Sequence, residues 1–362
     1  MNKYLITITV VALALLTACS SDDACQPVTT ETGGQPTEIR LASCLDAATR
    51  SYTHSNIVNG DTVYVWTDII NAATQEVSEY FKAWTLRANG VGGLSPLTAG
   101  NGKLFPATNH LNFYALCGNF GVVAEGSRAG EPMIEPEVMA LPTTSGIRHT
   151  VLSDQRSSDA YYKSDLLYAV VSDQAPISDA VSLYFKHMLS RIEVVLAAGN
   201  GVTTSELSTA TVELLNLNRQ VAFSANKDAD LTSQTDLASM LSIPMNAQQS
   251  NILMATNVID NTSLATPAAS TVYTDAIVVP QTIAKGTAFI KVSYMGRDTY
   301  YRVPNGSGDS PLVLESGKQY RFCLIANRIG GTFELTPVSV EEWGANTTTG
   351  LWLDDLTSTS PY

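Results

Sequence analysis

Histidine is the side chain that most often serves as a general base or metal ligand near neutral pH, so the histidines show first whether this chain could do chemistry. The sequence has four of them: His54, His110, His149 and His187. They lie far apart and form neither an HxH nor an HExxH motif, so a metalloenzyme has no support. His187 lies in a segment of alternating apolar and polar residues, which predicts a hydrogen-bonded structural histidine on a strand.

Paired carboxylates are the next candidates, because two carboxyl groups that flank a sugar linkage can hydrolyse it. The pairs Glu341-Glu342 and Asp354-Asp355 consist of adjacent residues, whose side chains point to opposite faces of a strand. We interpret them as solvated residues. The sequence also lacks the GxSxG motif of hydrolases and the phosphate-binding motifs GxxxxGK[ST] and GxGxxG. We therefore predict that the protein is not an enzyme and has no cofactor and no metal.

The composition is that of a folded, acidic protein. Lys and Arg number 21 against 34 Asp and Glu, which gives a formal net charge of −13 over 362 residues. This charge argues against nucleic acid as a partner, because phosphate binding needs clustered Lys and Arg. Apolar residues make up 44% of the chain and charged residues 15%, a balance that excludes a disordered protein.

The N-terminus has the features of an export signal. Lys3 precedes an apolar run over residues 4–16, which is too short to span about 30 Å of hydrocarbon and is typical of a secretory signal. The run ends in Leu16-Thr17-Ala18-Cys19, which resembles the lipobox of bacterial lipoproteins. In those proteins the chain is cut before the cysteine, and several acyl chains together anchor it durably. The resemblance implies a signal peptide over residues 1–18 and lipidation of Cys19.

The segment after the lipobox predicts where the protein is displayed. Residues 19–36 are rich in Ser, Asp, Thr, Gly and Pro and show no hydrophobic period, so we predict a flexible tether. The start of this tether, Ser20-Ser21-Asp22-Asp23, resembles the acidic signal that directs Bacteroidetes lipoproteins to the outer face of the outer membrane. The predicted localisation is therefore the cell outer membrane, with a surface-exposed lipid anchor.

Four further cysteines follow the lipobox: Cys25, Cys44, Cys117 and Cys323. Export makes disulfides possible, and four cysteines allow three connectivities. The chain has no CxxC motif and no cysteine paired with a histidine at zinc-binding spacing. The sequence leaves open whether one disulfide forms or all four cysteines are buried thiols.

The elements that must position these residues are predicted to be short strands. Apolar and aromatic runs recur between turn residues, a pattern typical of β-sandwiches rather than of βαβ units. Helical pattern is confined to residues 74–86 and 236–241. The nine predicted strands cover residues 62–66, 111–116, 166–171, 181–188, 191–196, 211–217, 276–279, 288–294 and 320–326.

A polar stretch over residues 172–179 is the best candidate for a domain boundary, because it divides the chain into halves of similar size. We predict an all-β protein with two tandem domains. The N-terminal β-sandwich would cover residues 37–174, the C-terminal β-sandwich residues 175–346, and a C-terminal tail residues 347–362.

The order and spacing of several short segments carry a family resemblance. After the lipoprotein signal come Thr49-Arg50-Ser51 and the segments over residues 59–66, 101–106, 111–118, 165–169, 185–192, 279–281, 314–322 and 342–343. Together, over residues 1 to about 343, they resemble the fimbrillin-like proteins of Bacteroidetes. The resemblance implies two transthyretin-like β-sandwich domains and a role as a type V pilus subunit or related surface adhesin. It implies other fimbrial subunits as partners, and a host or bacterial surface ligand.

The resemblance also implies a mode of assembly. In that family an arginine-specific protease cuts after the first strand of the N-terminal domain, and the next subunit's C-terminal segment fills the groove that is exposed. Here the candidate displaced strand is residues 38–42, and the candidate cut follows Arg50 in a polar, accessible stretch. Arg40 is a weaker alternative because it lies inside the predicted strand. The tail over residues 347–362 alternates poorly, which predicts a poor donor strand or a strand of the subunit's own sheet.

Two other classes of function stay open on the sequence. A surface glycan-binding lipoprotein, anchored through Cys19, would capture carbohydrate on exposed tryptophans. A secreted hydrolase would need carboxylates that only folding brings together. The chain has four tryptophans that could form a sugar platform: Trp66, Trp84, Trp343 and Trp352.

Overall fold

The structure of the protein is a computed structural model, which describes residues 37–45, 56–121, 140–143, 146–198, 201–245, 247, 249–256, 271–329, 332–334 and 339–342. The first twelve strands are β1 (Leu41–Leu45), β2 (Thr62–Ile70), β3 (Val77–Ala88), β4 (Gly93–Pro96), β5 (His110–Gly118), β6 (Phe120–Gly121), β7 (Ile147–Thr150), β8 (Leu166–Gln174), β9 (Val181–His187), β10 (Ser190–Ala198), β11 (Thr211–Asn218) and β12 (Gln220–Phe223). The later strands are β13 (Leu241–Ser242), β14 (Gln249–Leu253), β15 (Ala255–Thr256), β16 (Thr271–Val278), β17 (Thr282–Ile283), β18 (Ala288–Tyr294), β19 (Arg297–Arg302), β20 (Leu312–Val313), β21 (Lys318–Ile329), β22 (Thr332–Glu334) and β23 (Ser339–Glu342). Three short helices are described: α1 (Ser158–Lys163), α2 (Thr204–Leu207) and α3 (Gln234–Ser239).

The all-β class is confirmed, and each of the nine predicted strands overlaps a strand of the structure. The helix predicted over residues 236–241 is confirmed as α3, which begins after Ser233, whose hydroxyl accepts a hydrogen bond from the Asp236 N–H. The helix predicted over residues 74–86 is wrong, because this segment forms most of β3 and pairs along β2. The division into two transthyretin-like sandwiches stays a prediction.

Seven strands close into what we call the N-terminal barrel, in the order β1-β4-β3-β2-β5-β8-β9. The circuit closes because β1 pairs with β4 on one side, antiparallel, and with β9 on the other side, parallel. Apolar side chains from all parts of the circuit fill the interior. Buried members of this core include Ile39, Leu41, Val63, Val65, Trp84, Leu86, Phe105, Phe113, Leu183 and Phe185.

The strands after β9, together with β6 and β7, form further sheets that pack on the outside of the barrel. The largest has the order β15-β16-β10-β21-β22, with β23 also on β21, and a four-stranded sheet has the order β14-β11-β18-β19. Their shared core holds Phe289 against Phe322, with ring centroids 5.5 Å apart. Tyr168 of the barrel joins the same core and lies 5.0 Å from the Phe223 ring. The barrel therefore has its own interior core and also contributes side chains such as Tyr168 to the core of the further sheets.

A stretch that we call the clamp segment, residues 147–161, ties the halves together. Its first strand, β7, pairs with β12 of the second half, and Leu253 donates its N–H to the Ser153 carbonyl at 2.8 Å. Further along, the buried amide of Gln155 accepts from the Ile277 N–H at 2.9 Å and donates to the Ile277 carbonyl at 2.8 Å. The clamp segment thus precedes residue 175 in sequence but bonds to strands that follow it. The predicted boundary at residues 174 and 175 stays a prediction.

Candidate functional site: the first strand and its groove

The first strand is hydrogen-bonded along both of its sides. On the β4 side, Ile39 donates its N–H to the Lys103 carbonyl at 2.8 Å and Ser43 donates to the Gly92 carbonyl at 2.7 Å. On the β9 side, Val181 donates its N–H to the Arg40 carbonyl at 2.8 Å, and the parallel register continues to Leu45 opposite Phe185. We call the space between β4 and β9 that β1 occupies the β1 groove.

The side chains of residues 38–43 alternate between solvent and the core, and the alternation ends at Cys44, which is also buried. Ile39, Leu41 and Leu45 point into the N-terminal barrel and are at most 8% exposed. Glu38 and Arg40 point outward and form a surface ion pair at 3.6 Å. Burial of each inward side chain stabilises the seated strand by about 1.5–3 kcal/mol. Removal of the strand would therefore expose an apolar groove with two unpaired strand edges.

A glycine allows the first strand to approach its neighbour closely. Gly92 has φ of +98°, which favours glycine, and a Cβ there would lie 3.0 Å from Asn56 Oδ1 and 3.4 Å from the Ser43 carbonyl oxygen. Its own carbonyl is the group that accepts from the Ser43 N–H. A larger residue at position 92 would push the turn away from the strand.

The structure shows the bonding state of two of the four cysteines that follow the lipobox. Cys44 of β1 is disulfide-bonded, and Cys117 of β5 is a free, buried thiol whose pKa burial raises well above the usual range. The side chains of Cys25 and Cys323 lie outside the described residues. The described part of the chain therefore reduces the predicted alternatives to a disulfide that includes Cys44 and leaves out Cys117.

The predicted site residues fall at the margins of the described chain. The strand predicted over residues 38–42 overlaps β1 (Leu41–Leu45) only at residues 41 and 42. The hydrogen-bonded segment begins at Thr37, whose carbonyl accepts from the Phe105 N–H at 2.7 Å, and its pairing continues to Leu45. Arg50 and Cys19 lie outside the described residues, as does the tail over residues 347–362. Their roles stay predictions. What the local alternation missed is the parallel partner, β9, which lies far along the sequence.

The three histidines within the described residues do not come together, and His54 lies outside those residues. His187 is 1% exposed and its Nδ1 lies 2.5 Å from Asp165 Oδ2, which confirms a hydrogen-bonded structural histidine. His149 bonds through Nε2 to the Ser164 carbonyl at 2.8 Å, and burial lowers its pKa to about 4. His110 lies near the surface, 2.7 Å from Asp173. No group of three or more metal-binding side chains exists among the described residues.

Tryptophan platforms for sugar do not occur on the described surface. Trp66 and Trp84 are each 3% exposed, and the Trp84 indole donates to the Asn101 carbonyl at 2.9 Å. Trp343 and Trp352 lie outside the described residues. The glycan-binding alternative therefore gains no support from the two described tryptophans.

A buried charge network lies on one face of the sheet formed by β16, β10 and β21. Arg191 contacts Asp275 at 2.7 Å, with both side chains at most 5% exposed, and also donates to the Gln319 side chain at 3.0 Å. Glu193 bonds to Arg321 at 2.5 Å, and Tyr161 of α1 donates to Asp275 at 3.1 Å. Burial raises the pKa of Asp275 to about 7, although Arg191 opposes this shift. Because these charges are paired with one another and α1 contacts them through Tyr161, we interpret the network as structural.

Comparison with known proteins gives the class of the molecule. The sequence matches the fimbrillin-like family over residues 49–343, so the chain belongs to this family. Membership places it among structural fimbrial and adhesin subunits of cell-surface appendages rather than among enzymes, and suggests contacts with other fimbrial components. No curated protein matches the chain.

Two solved structures of Bacteroides proteins show the same fold at low sequence identity. A candidate cell adhesion protein from Bacteroides ovatus ATCC 8483 has a TM-score of 0.54 and 16% identity, and the match covers 86% of this chain and 99% of that chain. A candidate cell adhesion protein from Bacteroides uniformis ATCC 8492 has a TM-score of 0.51 and 16% identity, covering 84% and 99%. Among the described helices, none is long and apolar enough to span a membrane.

Proposed function

We propose that the protein is a fimbrial subunit or surface adhesin, exported as an outer-membrane lipoprotein and assembled by replacement of its first strand. The observation that carries the proposal is that β1 closes the N-terminal barrel between β4 and β9, with Ile39, Leu41 and Leu45 buried beneath it. The next residues, 46–55, contain Arg50 and connect β1 to the rest of the barrel. A cut there would leave β1 held in the barrel by non-covalent contacts. The Cys44 disulfide would also hold β1 if its partner cysteine lies C-terminal to the cut.

The β1 groove has the chemistry that strand addition requires. Main-chain groups of β4 and β9 offer hydrogen bonds to an incoming strand, and pockets left by the inward residues give selectivity for alternate apolar side chains. In the uncut chain β1 covers both edges, so the subunit is protected from premature pairing. Cleavage is therefore proposed as the step that converts a closed monomer into an acceptor.

Replacement of Arg50 with alanine is expected to prevent assembly without unfolding the protein. After treatment with an arginine-specific protease, the wild type should begin at Ser51 and form oligomers that survive mild denaturant. The Arg50→Ala variant should stay monomeric, because its β1 remains covalently joined to the barrel. The measurement is N-terminal sequencing together with oligomer ladders on gels, with and without reductant because Cys44 is disulfide-bonded.

Arg40→Ala is the matched control for this experiment. The Arg40 side chain is exposed and pairs only weakly with Glu38, so the variant should fold and be cut like the wild type. If the protease-treated wild type begins at Leu41 instead of Ser51, Arg40 is the maturation site. Equal polymerisation of wild type and Arg50→Ala would refute the maturation step at this residue.

Replacement of Cys19 with alanine is expected to abolish lipidation, because the lipid is attached through the cysteine sulfur. Cells fed an alkyne-labelled fatty acid should label the wild type and the matched Cys25→Ala variant, but not Cys19→Ala. The unlipidated precursor should accumulate with its N-terminal segment uncut. Label retained by the Cys19→Ala variant would contradict the lipoprotein proposal while leaving the strand-replacement proposal untouched.

A further inference from the structure

One end of the N-terminal barrel opens into a cleft of about 300 Å³, to which β1 contributes only its last residue, Leu45. Its lining residues come from several elements, including Leu45 of β1, Tyr64 of β2, Cys117 of β5 and His187 of β9. The volume lies at the lower end of the range for small-molecule pockets, which suits a ligand of few atoms. We call this space the barrel-end cleft.

Asp61 places a carboxyl group in this cleft, where a ligand could bind it. Its backbone is fixed, since Ala88 donates its N–H to the Asp61 carbonyl at 2.9 Å and the Asp61 N–H bonds to the Val58 carbonyl at 3.2 Å. Its carboxyl group lines the cleft and makes no hydrogen bond or ion pair within the described part of the chain. Burial raises the pKa of this carboxyl, as expected for a partly desolvated acid. A ligand that donates hydrogen bonds would offset that desolvation.

The other charges of the cleft select against ions. Lys163 lines the cleft and is held by Asp159 at 2.9 Å, and its positive charge acts on Asp61. The Lys163 ammonium group would therefore repel a cationic ligand. Asp165 is already bonded to His187 and, with Asp61, would repel an anion. A neutral molecule with several hydroxyl donors avoids both repulsions.

The walls of the cleft also offer apolar surface. The rings of Tyr64 and Tyr162 line it and are both half-buried. The C–H face of a pyranose ring can pack on such a ring while its hydroxyls reach polar groups nearby. We propose that the barrel-end cleft binds a single neutral sugar residue whose hydroxyl groups donate to the Asp61 carboxylate.

The test is a binding measurement on the purified, uncut protein. Glucose, galactose, mannose, fucose and N-acetylglucosamine are each titrated at millimolar concentration and followed by saturation-transfer difference NMR. At least one of the five is expected to bind saturably. Asp61→Ala should weaken that binding about tenfold or more, because hydrogen bonds to a charged acceptor are lost. The control Asp154→Ala changes an exposed carboxylate paired with Arg156, outside the cleft, and should bind like the wild type.

Two further arms make the outcome decisive. Thermal unfolding establishes that the Asp61→Ala variant is folded, and Asp61→Asn, which keeps one acceptor oxygen in the same place, should lose less affinity than Asp61→Ala. Absence of saturable binding by all five sugars, or equal binding by wild type and Asp61→Ala, would overturn the proposal. Tighter binding of methylammonium or acetate than of any sugar would overturn it in favour of an ion site. None of these results depends on proteolysis, so strand replacement is judged separately.

Discussion

Replacement of Arg191 with leucine is expected to lower the free energy of unfolding by about 3–5 kcal/mol at pH 8. The substitution leaves the Asp275 carboxylate without the guanidinium that lies 2.7 Å away, in a place where the carboxylate is 1% exposed. Removal of one partner from a buried ion pair typically lowers the free energy of unfolding by about this amount, because the remaining charge has no counter-charge and no water around it. It also removes a donor to the Gln319 side chain. The measurement is urea unfolding of wild type and variant.

The cost of Arg191→Leu should depend on pH in a defined direction. Burial raises the folded pKa of Asp275 to about 7 from its ordinary value of 3.8, so the folded state binds the additional proton between about pH 4 and 7. The contribution of this group to stability is full below that window and is lost as the pH rises through 7. In the variant, Asp275 loses its cation and holds its proton to higher pH, so the destabilisation should be smaller at pH 5 than at pH 8.

Matched variants separate the buried pair from the general loss of an arginine. Arg156→Leu removes an arginine from an exposed pair with Asp154 and should change stability little. In an Asp275→Asn background, Arg191→Leu should cost less and should lose most of its pH dependence. A pH-independent loss in the native background would contradict the assignment of the effect to Asp275.

Replacement of Gln155 with leucine is expected to lower the free energy of unfolding by about 2–6 kcal/mol, because the Gln155 amide satisfies the main-chain groups at a buried strand edge. The Gln155 amide meets both the N–H and the carbonyl of Ile277, and Gln155 and Ile277 are each 0% exposed. Leucine fills similar space but leaves two buried main-chain groups unpaired, at about 1–3 kcal/mol each. The same urea titration measures the loss.

Gln155→Glu tests the geometry of these two hydrogen bonds more finely. The carboxylate can accept from the Ile277 N–H but cannot donate to the Ile277 carbonyl, whereas the protonated acid can do both. The variant should therefore be more stable relative to wild type at pH 5 than at pH 8. Gln249→Leu, the same change at an exposed position of β14, is the control and should have little effect. Comparable losses at positions 155 and 249 would refute this role of Gln155.

Local patterns predicted nine of the 23 described strands, because short-range alternation reports which face of a strand is buried. The segment of β9 carries that alternation and was located from it, whereas β18 was located as an apolar and aromatic run between turn residues. The segment over residues 74–86 failed because Glu76, Glu79 and Lys82 recur at a spacing of three, which imitates a helix face. In the structure its aromatic and β-branched residues pair with β2, and this tertiary pairing decides the conformation.

The remaining features arise from contacts that no local pattern encodes. Alternation in β10 predicts one buried face, and Ile192 and Val194 are indeed buried. The opposite face is also covered, which buries Arg191 and Glu193 and produces the charge network. The parallel pairing of β1 with β9 joins Leu41 to Val181, and only the complete barrel circuit shows it. The candidate site was therefore predictable as a segment, but not its place between two strands.

The two-sided pairing of β1 has a mechanical consequence. A force applied along the axis of this strand acts in shear on hydrogen bonds to β4 and β9 together, because those bonds run across the direction of pull. The bonds on both sides must then rupture nearly at once, rather than one after another as in a strand peeled from its end. A strand seated in this groove would therefore resist drag from flowing liquid far better than it resists peeling.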